Sequence, residues 1–149
     1  MSVPPREKTS RNISKKLKIK NGMKELSIEK LCPDIDRWPQ SWEGLPEDVA
    51  YGQELLEEIK PFLEYLLGYG LSKTTMKRHI DNLWLLGGEL IRDINMDESL
   101  RQKAPLDLIR DHVDEEGGPY CRHLDTKEEM QSFDATCRKF HNFLKKAKS

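Results

Sequence analysis

The sequence predicts an all-α protein: a single small helical bundle of about five helices, preceded by a disordered basic arm over residues 1–24. Three observations carry that expectation. Apolar residues recur every three or four positions across residues 49–67, 76–94 and 133–144, the period of a helix with one buried face. Capping residues stand where helices should start and glycines stand where they should stop. No stretch alternates apolar and polar residues as a half-buried strand would. At 149 residues the chain supports one core of ordinary size, so residues 25–149 read as one helical domain.

The arm comes first. Residues 1–24 hold eight cations and one acid, a charge of +7, so the remainder carries −8 within a net charge of −1. Such an arm reads either as a solvated tail or as a segment drawn to nucleic acid or an anionic membrane surface. The acidic body argues against broad, sequence-independent DNA binding, which depends on neutralising phosphates. Residues 25–45 read as an irregular lead-in punctuated by Pro33, Pro39 and Gly44. Its Trp38 and Trp42 are expected to pack back onto the core and not to form an exposed aromatic surface.

Pro46 suits the first turn of a helix, with Glu47 and Asp48 at its positive end. Val49, Leu55, Leu56, Ile59, Leu63, Leu66 and Leu67 recur at helical spacing. Pro61 lies inside that pattern and predicts a kink, or a break into two helices near Lys60. Gly68 and Gly70 end the element. Ser72 is a good N-cap for the next helix. Its main stripe is Met76, Ile80, Leu83, Gly87, Leu90, Ile91 and Ile94, widened by Trp84 and Leu86, with Leu85 opposite. A helix apolar nearly all round is expected at the centre of a bundle. Gly87 and Gly88 cost roughly 1 kcal/mol each relative to alanine, which makes sense if another helix crosses there closely.

A link over residues 95–105 precedes a short helix, Leu106–Glu116, stopped by Gly117, Gly118 and Pro119. The last helix opens on a capping box, Thr126-Lys127-Glu128-Glu129. Met130, Phe133, Cys137, Phe140 and Leu144 line one face, and Lys145, Lys146 and Lys148 suit its negative end.

The functional signal lies at the start of the second long helix. Ser72, Lys73, Thr74, Thr75, Lys77 and Arg78 place hydroxyls and cations where backbone N–H groups already favour an anion. The contact expected there is with nucleic-acid phosphate. The plainer reading is a capped helix whose first turns are solvated, although cations at a positive helix end carry a mild cost.

The segment GLSKTTMKRHIDNLWLLGGEL, preceded by PFLEYLLGY, resembles the core-binding domain of tyrosine recombinases, the phage-type integrases. That family pairs an apolar helix ending near FLxYL with GLSxxTxxRHI, and the likeness spans about residues 55–94. It implies a helical module that clasps DNA, with Ser72, Lys73, Thr74, Thr75, Lys77 and Arg78 near the DNA backbone. Gly87-Gly88 departs from the family's continuous helix, and no Arg, His and Tyr stand like a recombinase active site. A stand-alone relative of the binding module, without the catalytic domain, is what the likeness implies. The whole chain also resembles short bacterial proteins, which adds no activity.

Other chemistries are weaker. Cys121, His123, Cys137 and His141 form C-x-H-x13-C-x3-H, residue types that bind zinc, but in a spacing unlike the common pairs. No metal or cofactor is therefore assigned. The acid pairs Glu57-Glu58 and Glu128-Glu129 are adjacent, so each splits across a helix surface. His79 and His112 lack a nucleophile at a meaningful spacing, and no enzyme activity is expected. No run reaches the roughly 18–20 apolar residues that cross a bilayer. Three cysteines cannot all pair, which suits the cytoplasm. The leading expectation is a non-enzymatic nucleic-acid-binding accessory protein, with DNA ahead of RNA. The alternative is a protein–protein adaptor or small subunit, using the Trp84/Leu85 face or the tryptophan loop to meet a partner or a second copy.

Overall fold

The computed structural model of the chain describes residues 26–148, so the basic arm expected over residues 1–24 lies outside it. The order of elements is α1 (Ile28–Leu31), a 3-10 turn (Ile35–Arg37), α2 (Trp38–Ser41), α3 (Asp48–Leu67), α4 (Lys73–Met96), a second 3-10 turn (Glu98–Gln102), α5 (Pro105–His112) and α6 (Lys127–Lys148). The fold is all-α as expected. Among the described residues the β-type pairing is an isolated bridge between Asp114 and Gly117.

Long-range contacts give the arrangement. Asp48 at the start of α3 meets Asn95 near the end of α4, so the two run antiparallel. His79 and Asn82 of α4 meet Thr136 and Ser132 of α6, an antiparallel pair again. Phe62 of α3 stacks on Phe140 of α6 with ring centroids 4.7 Å apart. The three long helices therefore share one core, with α2 and α5 packed against α3. Every residue of the predicted α4 stripe is buried. Leu85, opposite it, is half-buried, and Trp84 stays 40% exposed.

Four expectations need correction. The lead-in is built of helical turns, because Ser27 Oγ accepts the Lys30 N–H at 3.1 Å and Pro39 opens α2. Of the kink or break expected at Pro61, the break is absent, since α3 runs continuously over 20 residues. The proline is exposed, while Ile59, Phe62 and Leu63 beside it are fully buried and hold both halves in place. The short helix is Pro105–His112, ending before residue 116. Val113 is extended, and Asp114 Oδ1 then accepts the N–H groups of Glu116 and Gly117 in a turn that competes with the helix. Met130 is 41% exposed and lies off the buried face of α6.

The glycine pair has a different partner from the one expected. The indole of Trp42, and not a crossing helix, fills the notch: a Cβ on Gly87 would stand 2.2 Å from Trp42 Cζ2 and 2.4 Å from Cη2. The ring also lies close to Gly52 of α3, where an added Cβ would stand 3.2 Å from Trp42 Cε3. Its Nε1–H donates to the Trp84 carbonyl at 3.0 Å, satisfying the one polar atom of a buried indole. Trp42 and Trp38 are both buried, as the tryptophan loop was expected to be.

A second long-range device closes the far end. Asp48, fully buried, accepts from Gly44 N (2.8 Å), Leu45 N (2.7 Å), Asn95 Nδ2 (3.0 Å) and Arg101 Nη2 (3.0 Å). Burial alone would raise its pKa. The hydrogen bonds from Asn95, Leu45, Gly44 and Arg101 outweigh that and hold the carboxyl below the usual range.

Candidate nucleic-acid interface

The tip of α4 is built as its residues suggest. Gly68 closes α3, and Gly70 takes φ +72°, a left-handed turn that a side chain would strain. Ser72 Oγ then accepts the Thr75 N–H at 3.1 Å and donates to Thr75 Oγ1 at 3.0 Å. Ser72 and Thr75 are thus engaged with each other in the cap. Lys73, Thr74, Lys77 and Arg78 are exposed. Among the described residues none of these four makes an ion pair or side-chain hydrogen bond. Asp81, one turn on, feels the charge of Lys77 without pairing with it. The first-turn N–H groups of Lys73 and Thr74 have no carbonyl within the helix to bond.

Sequence reasoning missed how much of α6 joins this end of the molecule. The antiparallel pairing brings the C-terminal half of α6 beside the start of α4. Burial of His79 lowers its pKa, and Lys139 and Arg78 lower it further, so one cation from each helix bears on the same ring. Lys139 and Lys146 line a cleft of about 370 Å³ with Tyr65, Tyr69, Leu71 and Phe143, beside the turn into α4. Tyr69 is 63% exposed, and its hydroxyl lies 2.8 Å from that of Tyr65. Cations and an exposed ring at one end suit a phosphate backbone and an unstacked base. The signal in the sequence was the seven-residue spacing of Lys139 and Lys146, which sets both on one helix face.

The contact between the helices is a polar seam. His79 Nδ1 is 2.8 Å from Thr136 Oγ1, and Asn82 Nδ2 donates to Thr136 Oγ1 (2.9 Å), Ser132 Oγ (3.1 Å) and Ser132 O (3.1 Å). His79 is therefore a buried structural group of the helix–helix contact. His112 sits between the Leu108 carbonyl (2.8 Å) and Asp93 (3.0 Å).

The four zinc-type residues do not gather. His141 faces Glu115 at 3.7 Å, His123 lines a different groove, and Cys121 and Cys137 are buried in the core. Among the described residues no three of His, Cys, Asp or Glu stand close enough to hold a metal ion. No described helix is long and apolar enough to cross a membrane. Comparison with known proteins returns no match to any protein-family model, curated protein or solved structure.

Proposed function

We propose that this protein binds nucleic acid, DNA before RNA, through the basic end formed by the α4 tip and the C-terminal half of α6, and that it acts without catalysis. The observation that carries the reading is that Lys73, Lys77 and Arg78 are exposed and, among the described residues, bonded to no acid of their own chain. Cations left unpaired in an acidic body, beside the positive end of a 24-residue helix, suit an anionic ligand better than they suit stability. Lys139, Lys146 and Tyr69 extend the surface. The likeness to integrase core-binding domains belongs to the same proposal, and the arm over residues 1–24 would add a salt-sensitive supplement.

The test is a DNA-binding titration at two salt concentrations on the full chain, on Lys73/Lys77/Arg78→Ala, and on a version lacking residues 1–24. Each phosphate-binding cation removed should lower the salt slope by about 1, so the triple change should lower it by about 3. Binding that ignores the triple change, or that vanishes only with the arm, refutes the α4 tip as the reader.

A second reading, a protein adaptor, draws on Trp84 (40% exposed) and Met96 (71% exposed), which line one groove with the half-buried Leu85. The tryptophan loop does not serve it, because Trp38 and Trp42 are committed to the core. A stable dimer in light scattering that dissociates on Trp84→Ala, in a protein without DNA affinity, would favour this reading.

A further inference from the structure

The groove beside Trp84 has a chemistry that neither reading uses. It encloses about 350 Å³ between α4, the end of α2 and the loop before α6, within the range of small-molecule sites. Glu89 lines it, yet Glu89 is only 5% exposed. Its carboxylate makes no ion pair with a described residue, and its polar neighbour is the thiol of Cys121, a weak donor. Arg101 Nη1 is the one fully buried side-chain N or O atom without a partner among the described residues. The Glu89 oxygens are therefore not sealed off: their opening is the groove. Arg92, Arg122 and His123 stand around the same space, and neither arginine is paired with a described acid. The floor thus lacks a donor while the rim lacks an acceptor.

The walls are set in advance. Trp84 Nε1–H donates to Ser41 Oγ at 2.9 Å, and Ser41 Oγ–H donates to the Trp38 carbonyl at 2.7 Å. The indole is thereby fixed as an aromatic wall, the surface that flat cations favour. An apolar helix laid into the groove would seal a carboxylate without a partner, which is costly. A plain cation would meet two arginines at the rim, and a plain anion would meet Glu89.

We propose that this groove binds a zwitterionic molecule of amino-acid size, with a guanidinium or ammonium head on Glu89 against the Trp84 indole and a carboxylate tail on Arg92 and Arg122. A guanidinium is the better head, since it donates two parallel hydrogen bonds to a carboxylate and stacks on an indole. The proposal is independent of DNA binding, and Glu89→Gln should leave the DNA titration unchanged.

The test is a calorimetric or tryptophan-fluorescence titration of the full chain at low salt with three probes: L-arginine, agmatine without the tail, and L-citrulline without the charged head. L-arginine should bind saturably, and each of the others about tenfold or more weakly, the loss of one charge-assisted contact. Glu89→Gln should cost L-arginine a similar factor and leave L-citrulline unchanged. Arg122→Ala, at an exposed position that cannot disturb the core, should shrink the gap between L-arginine and agmatine. The proposal is overturned by no saturable signal with L-arginine, by agmatine binding as tightly as L-arginine, or by an Arg122→Ala protein that keeps the full gap. Guanosine monophosphate binding more tightly than L-arginine overturns it too, since a nucleotide would then be the natural occupant.

Discussion

Adding one methyl group at each of two adjacent glycines should move stability in opposite directions. At Gly88 the new Cβ would sit 3.4 Å from Trp42 Cδ1, an ordinary contact. Gly88→Ala should therefore stabilise the protein by about 1 kcal/mol, the helix-propensity gain. At Gly87 the same Cβ would lie within 3.0 Å of three atoms of the Trp42 ring. The ring has little room to retreat, being held at Nε1 by the Trp84 carbonyl and lying close to Gly52. Overpacking of that kind costs about 3 kcal/mol at the upper end of its range, less about 1 kcal/mol of propensity, leaving a net loss of about 2 kcal/mol. The two variants should thus differ by about 3 kcal/mol, roughly three times the propensity gain alone. Urea unfolding followed by far-UV circular dichroism measures both, with unchanged m-values as the check that only stability moved. A Gly87→Ala protein as stable as Gly88→Ala would show that Trp42 does not occupy the notch.

Three further outcomes are expected. Folded His79 has its pKa lowered from 6.5 by burial and by Lys139 and Arg78, so below pH 6.5 the unfolded chain takes up a proton that the folded one refuses. Stability should fall as pH drops below 6.5, by at most about 1.4 kcal/mol per pH unit from this group, and His79→Gln should remove that part of the slope in pH-dependent denaturation. Asp48→Ala should cost about 3–5 kcal/mol in urea unfolding, because Arg101, Asn95 and two backbone N–H groups lose a shared buried acceptor; a cost under 1 kcal/mol would refute the clamp. Burial and the Asp34 carboxylate push the Cys32 thiol up to about 11, and burial pushes Cys121 and Cys137 up as well. The folded protein should react slowly with Ellman's reagent at pH 8 and release three equivalents rapidly in denaturant.

What could be read in advance was what neighbouring residues decide. Ser72 caps α4, and at α6 Thr126 Oγ1 accepts the Glu129 N–H while Glu129 Oε1 accepts the Thr126 N–H, as their spacing indicated. The stripe Met76, Ile80, Leu83 and Leu90 follows from helical periodicity alone. Features joining distant positions were opaque. Asp48 and Arg101 lie 53 positions apart, Trp42 and the Trp84 carbonyl 42, and nothing local marks either pair. Gly87 announced a close approach but not what approaches, because a notch is compatible with any flat partner. The basic end was half legible: the cations of α4 adjoin one another in the chain, whereas Lys139 joins them only once α6 packs antiparallel. Glu89 went unnoticed because an acid within an apolar helix normally faces water, and here it faces a groove.

The seam of His79, Asn82, Ser132 and Thr136 has a consequence for how the two basic rows are aligned. Were α6 to slide along α4 by one turn, about 5.4 Å, both hydroxyls would leave their partners and an amide and an imidazole would be stranded among hydrocarbon. Greasy side chains alone tolerate such slippage, but this ladder of small polar groups does not. It works as a vernier, admitting a single setting of the helices, and in that setting Lys139 and Arg78 both act on the His79 ring.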